Sequence, residues 1–199
     1  SGYLKVLDYE REDRIEEGRE PLYRLTLTNY EVKRMFDSMV RGWFQPAGAD
    51  YNDFVKALLL GDLDAMNVYM NRVASQIFSY FDVGRGEAGG TPERFYHGFV
   101  LGILVDLQNR YVITSNRESG FGRYDVMIEP RNSGDDAMIL EFKVLNPRRE
   151  KTLEDTARNA LEQIEARNYE AYLLGRGIPK EQIRKYGFAF QGKTVLIEG

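Results

Sequence analysis

The chain has 199 residues, a net charge of −4 and a pI near 5.3. It contains no cysteine and a single histidine, which excludes disulfides, zinc fingers, thiol catalysis and any multi-histidine metal site. An apolar fraction of 43% supports a core in one large or two small domains, and no apolar run reaches the roughly 18 residues of a membrane span. No basic–apolar signal opens the sequence, so a cytoplasmic location is expected. The acidic balance weighs against nucleic-acid binding, although carboxylates of a metal site would contribute to it.

Residues 2–8 (around YLKVLDY) and 22–28 (LYRLTLT) alternate in the manner of two strands. The charge run EREDRIEEGRE between them reads as a solvated hairpin loop. Asn29 is placed to cap a helix over YEVKRMFDSMVRGWF, where Val32, Met35, Phe36 and Met39 form an apolar stripe. DYNDFVKALLLGD predicts a second helix that stops near Gly61. LDAMNVYMNRVASQIFSYF predicts a third, with a core-facing stripe from Leu63 to Phe81. GRGEAGG, residues 84–90, matches G-x-G-x-x-G in letters only. A helix rather than a strand precedes it, so no dinucleotide site is expected there. It reads instead as a flexible joint and a domain boundary.

Thr91 and Pro92 suit the N-cap and first position of a helix running to about Asn109. Glu93 and His97 share one of its faces. YVITSNRES then predicts a strand, and GFGR a flexible turn. Arg123 to Pro130 and Met138 to Val144 read as strands around a turn of Asn, Ser, Gly and Asp. Asn146-Pro147 breaks the second of these. Thr152 with Asp155 is a capping signal for a helix from Leu153 to about Leu174, with Gln163 beside its apolar stripe. YGFAFQGKTVLIEG closes the chain as a hairpin turning at Gln191-Gly192-Lys193. A helix, three strands, a helix and two strands predict an α+β core with a mixed sheet. A strand pair and a smaller, mostly helical module precede it.

The central strands carry three charges that a buried strand should not contain: Asp125, Glu141 and Lys143. Glu141 and Lys143 share a face because strand side chains alternate. The hairpin places Asp125 opposite residue 142, give or take one, and the spacing leaves that register open. Two readings follow. One is a cross-strand ion pair of Lys143 with a carboxylate. The other is a site for a hard cation such as Mg²⁺ with an ammonium beside it.

Asp125, a hairpin, then Glu141-Phe142-Lys143 resembles the D…E-x-K core of the PD-(D/E)XK nuclease superfamily. ERFYHGFVLGIL, SNRESGFGRYDVMI, ILEFKV, ALEQIEARNY and KYGFAFQGKTVLI are similar, in that order, to the nuclease-like domain following the ATPase domain in bacterial and archaeal AAA-ATPase-like proteins. The resemblance covers residues 91–199. It implies a restriction-endonuclease-like mixed sheet flanked by helices. Residues 1–90 would then be the end of an ATPase-linked region, although no P-loop occurs here. The resemblance also implies Mg²⁺- or Mn²⁺-dependent hydrolysis of nucleic acid, with DNA the expected substrate. Asp125, Glu141 and the Phe142 carbonyl would hold the metal, and Lys143 would act on the attacking water and the developing charge. Glu93 and Gln163 would face the site. Arg123, Arg148 and Arg149 are candidate phosphate contacts. The alternative is a silent or latent module of the same fold, binding nucleic acid or protein and working with an upstream ATPase.

Overall fold

The computed structural model describes residues 2–9, 23–43, 48–77, 92–119 and 122–199. The charge run, the glycine-rich joint and the boundary expected there lie outside the described residues. The chain divides into two compact units, Ser1–Trp43 and Phe44–Gly199.

In the first unit β1 (Leu4–Tyr9) pairs antiparallel with β2 (Tyr23–Leu27), and α1 (Tyr30–Trp43) follows. Asn29 caps α1 as expected, its Oδ1 accepting from the Val32 N–H at 2.9 Å. Tyr3 meets Phe36 edge to face at 6.2 Å.

The second unit opens with α2 (Gly48–Leu60) and α3 (Leu63–Ile77). Gly61 turns between them at φ 72°, and Asp62 Oδ1 then caps α3 through the Ala65 N–H at 3.0 Å. Next come α4 (Pro92–Ile103), a 3₁₀ segment over Leu104–Asn109, β3 (Tyr111–Ser119), β4 (Gly122–Pro130) and β5 (Ala137–Val144). They are followed by α5 (Leu153–Ala166), α6 (Glu170–Gly175), β6 (Ile183–Gln191) and β7 (Thr194–Glu198). The five strands stand in the order β3-β4-β5-β6-β7; β5 and β6 are parallel and the other neighbours antiparallel.

Strand alternation gives the sheet two different faces. On one, Phe142, Phe188 and Phe190 pack together, and Tyr96 of α4 stacks on Phe190 at 4.2 Å. On the other, Met127 and Ile139 meet Ile164 of α5 and Tyr169. The fold is therefore α+β, a restriction-endonuclease-like mixed sheet with helices on both faces and a smaller N-terminal unit before it. No described helix is long and apolar enough to cross a membrane.

Several expectations need correction. The helix predicted to reach Leu174 is two helices, because Asn168 adopts φ 50° between them. The strand expected from Arg123 starts one residue earlier, inside GFGR: Gly122 pairs with Ser119, and Arg123 with Glu118. The helix after Pro92 tightens into a 3₁₀ turn for its last six residues.

Helices α2 and α3, read from the sequence as part of the preceding module, belong to the unit that contains the sheet. Periodicity identifies an apolar face but not the element that covers it. Here α3 lies along the edge of β7. Asn67 donates to the Ile197 carbonyl at 2.8 Å and accepts from the Ile197 N–H at 2.8 Å. Asn71 does the same to Val195 at 2.7 and 2.9 Å. Two carboxamides thus satisfy the outward backbone groups of an edge strand, which would otherwise recruit another strand.

Asn67→Ala or Asn71→Ala should each cost about 1–3 kcal/mol, read by denaturant unfolding, because two backbone groups lose their partners. The double variant should self-associate in sedimentation; a monomer of parental stability would refute the edge role. A second expectation concerns pH. A hydrogen bond from Lys185 holds the Glu170 carboxyl below the usual range against its burial. Its folded pKa lies below the unfolded value of about 4.3, so its stabilisation is complete above that value and lost as pH falls through the folded pKa. Glu170→Gln should lower the melting temperature at pH 7, with the difference from the parent shrinking as pH falls through the folded pKa.

Candidate active site

The backbone ladder between β4 and β5 ends at Val126–Leu140. One further step in that register sets Asp125 opposite Glu141 on the same face, which resolves the alternative the hairpin spacing left open. Beyond the ladder, Asp125 Oδ2 accepts from the Phe142 N–H at 2.9 Å, a side chain taking over the role of a strand partner. The N–H and C=O of a strand residue leave on the same side, so the Phe142 carbonyl also leaves toward β4. Its ring points the other way, 5.5 Å from the ring of His97. His97 Nε2 shares a hydrogen bond with Ser115 Oγ at 2.8 Å on that opposite face.

Glu141 is only 2% exposed, in the middle of the sheet. A carboxylate there requires compensation. It comes from Gln163 on α5, whose Nε2 donates to Glu141 Oε1. Gln163 Oε1 in turn accepts from Lys143 Nζ at 2.7 Å. The amide orientation follows from charge, since the carbonyl must face the ammonium and the NH₂ the carboxylate. The ammonium and the carboxylate are thus joined through a carboxamide, which differs from the cross-strand ion pair considered above.

Two residues that sequence reasoning missed complete this side of the site. Tyr169 is buried, with its hydroxyl 3.5 Å from Gln163 Nε2. Burial pushes its phenol up, and the carboxylates of Glu141 and Asp125 push it further, against the lowering bond with Gln163. It therefore remains a protonated hydroxyl. Gly187 stands beside Glu141 in the β5–β6 register. A Cβ there would fall 2.4 Å from the Ala157 carbonyl oxygen of α5. The missing side chain lets α5 approach closely enough for Gln163 to bridge two β5 residues. A glycine inside the strand YGFAF was the available signal for Gly187. Tyr169 lay hidden because the helix was read as continuous.

Of the remaining predicted residues, Arg148 and Arg149 lie exposed in the turn that leaves β5 beyond Lys143. The side chains of Glu93 and Arg123 lie outside the described residues. The donors that the register sets side by side are two carboxylates and a backbone carbonyl. All are hard oxygens, suited to a divalent cation that keeps several waters. Among the described residues no cluster of three or more His, Cys, Asp and Glu side chains accompanies them.

Gly187→Ala should displace α5 and lower stability by about 1–3 kcal/mol, as overpacking does. The same variant should separate Gln163 from Lys143, seen as altered chemical shifts of the Gln163 side-chain amide. Unchanged stability and unchanged shifts would show that α5 does not depend on this contact.

Comparison with known proteins agrees with this geometry. A family model described as the PD-(D/E)XK nuclease superfamily matches residues 91–199, more than half of the chain. No curated protein and no solved structure gives a significant match. With Asp125, Glu141 and Lys143 on one face of a restriction-endonuclease-like sheet, the chain belongs to the PD-(D/E)XK nuclease superfamily.

Proposed function

We propose that the chain hydrolyses phosphodiester bonds of nucleic acid with the help of Mg²⁺ or Mn²⁺, with DNA as the expected substrate. The observation that carries this reading is the joining of Lys143 to Glu141 through Gln163 beside Asp125, where β4 and β5 part. Asp125, Glu141 and the Phe142 carbonyl hold the cation. When bound, the cation supplies Lewis-acid charge at the scissile phosphate.

The other steps belong to the chain itself. Lys143, as the ammonium, orients the attacking water and donates to the phosphate oxygens as their charge grows. Gln163 keeps the ammonium on the metal face. The buried Tyr169 limits the motion of Gln163 and closes the inner wall to water. Arg148 and Arg149 contact flanking phosphates, and Arg123 and Glu93 are assigned to substrate and site by their positions in the sequence. The nuclease-like site lies within residues 91–199, α2 and α3 share its compact unit, and the strand pair with α1 before them links it to an ATPase partner.

One observation favours a second reading, a silent or latent module of the same fold that binds nucleic acid or protein beside an ATPase: the net charge is −4. A nucleic-acid enzyme ordinarily presents a basic footprint.

Thermal shift with Mg²⁺ and Mn²⁺, and cleavage of plasmid and single-stranded substrates, decide between them. The parent should be stabilised by metal, and Asp125→Asn and Glu141→Gln should abolish the shift. Lys143→Ala should still bind metal while losing cleavage by about 10²- to 10³-fold. Lys143→Arg should not recover it fully, since the larger, planar guanidinium cannot take the position of a compact ammonium. Metal binding without cleavage in the parent would favour the latent module; parental cleavage by Lys143→Ala would remove Lys143 from the mechanism.

A further inference from the structure

The loop after β5 ends on a carboxylate that the nuclease reading does not use. Glu150 accepts from Thr156 Oγ1 at 2.7 Å and the Asn146 N–H at 3.2 Å on one oxygen, and from Asn159 Nδ2 at 2.7 Å on the other. Thr156 and Asn159 lie in the first two turns of α5, which Thr152 caps through a full capping box. Three donors occupy a single carboxylate.

Position connects this group to the site. Asn159 and Gln163 are four residues apart and so share a face of α5. The first holds Glu150 and the second holds Lys143, which places the anion and the ammonium on neighbouring turns. The electrostatics agree. Burial would raise the Glu150 carboxyl, but the bonds from Thr156, Asn159 and Asn146, with the charge of Lys143, hold it below the usual range.

Resting on the nuclease reading, we propose that Glu150 is a positioning residue for Lys143, the anion that keeps its ammonium in place when the metal carboxylates are occupied. The charge count supports this role. Asp125 and Glu141 together balance a divalent cation. Before a substrate phosphate enters, Lys143 then leaves one positive charge uncompensated, close to a cation that repels it. Gln163 offers Lys143 a dipole but no charge. Glu150 supplies the missing negative charge, and its three donors keep it from joining the metal shell.

The test is acylation of Lys143, mapped by mass spectrometry with and without Mg²⁺, alongside steady-state cleavage. A held ammonium reacts slowly. In Glu150→Gln, Lys143 should react several times faster than in the parent, with the difference growing when Mg²⁺ is added. The same variant should lose about tenfold in kcat with little change in KM, and Glu150→Asp should recover part of both. Thr156→Val loosens the clamp but keeps the charge, so it should lower the melting temperature while leaving Lys143 labelling near the parental rate. Unchanged labelling in Glu150→Gln overturns the proposal. Equal labelling in Glu150→Gln and Thr156→Val also overturns it, since the loop clamp alone would then be at work. If the parent cleaves nothing with either metal, the nuclease reading fails, while the labelling comparison still decides the role of Glu150.

Discussion

A carboxylate held in the centre of a β-sheet constrains everything around it. Glu141 is nearly inaccessible to water, in a strand whose first six residues are all buried. Desolvating an unpaired carboxylate costs more than the margin by which a domain of this size is stable. The surrounding groups must therefore be arranged to receive it. Gln163 does so from α5. The same arrangement gives Lys143 an acceptor, so one glutamine serves two charges of opposite sign.

That glutamine can reach only because α5 lies unusually close to β6. Beneath the helix, the middle of β6 presents small or charged residues, Lys185, Gly187 and Ala189. Lys185 itself turns outward to Glu165 and Glu170, on α5 and α6. The opposite face carries the bulk, with stacked aromatic rings under α4. The two faces divide the work: one holds the sheet rigid by burying large apolar surface, and the other leaves room for polar groups to converge.

Much of this was legible in the sequence, for physical reasons specific to each residue. Asp125, Glu141 and Lys143 stood out because a charge inside an apolar strand has few bland explanations. Thr152 with Asp155 was legible because capping is local chemistry. Gln163 had no such mark. A polar residue beside a helical stripe is ordinary, and only the family resemblance pointed to it. Tyr169 and Glu150 were invisible for a related reason, since each depends on where a turn falls. Asn168 breaks the helix before Tyr169, and the Asn146–Glu150 turn brings its carboxylate back onto α5. Asn67 and Asn71 fall outside the apolar stripe of their helix, and nothing local distinguishes a solvated asparagine from one that faces a strand.

The pairing of α3 with β7 has a built-in limit. One helical turn of four residues advances about 6.0 Å, while two strand residues advance about 6.6 Å. Each step also rotates the helical side chain by about 40° away from the strand. Two rungs tolerate that mismatch, as on a vernier scale whose divisions coincide only briefly. A third would be displaced by more than an ångström and turned well off the edge. The next helix position in the series is Ser75, and its hydroxyl bonds back to Arg72 of its own helix. A helix can thus stand in for a strand only over a short span, and the five residues of β7 lie within it.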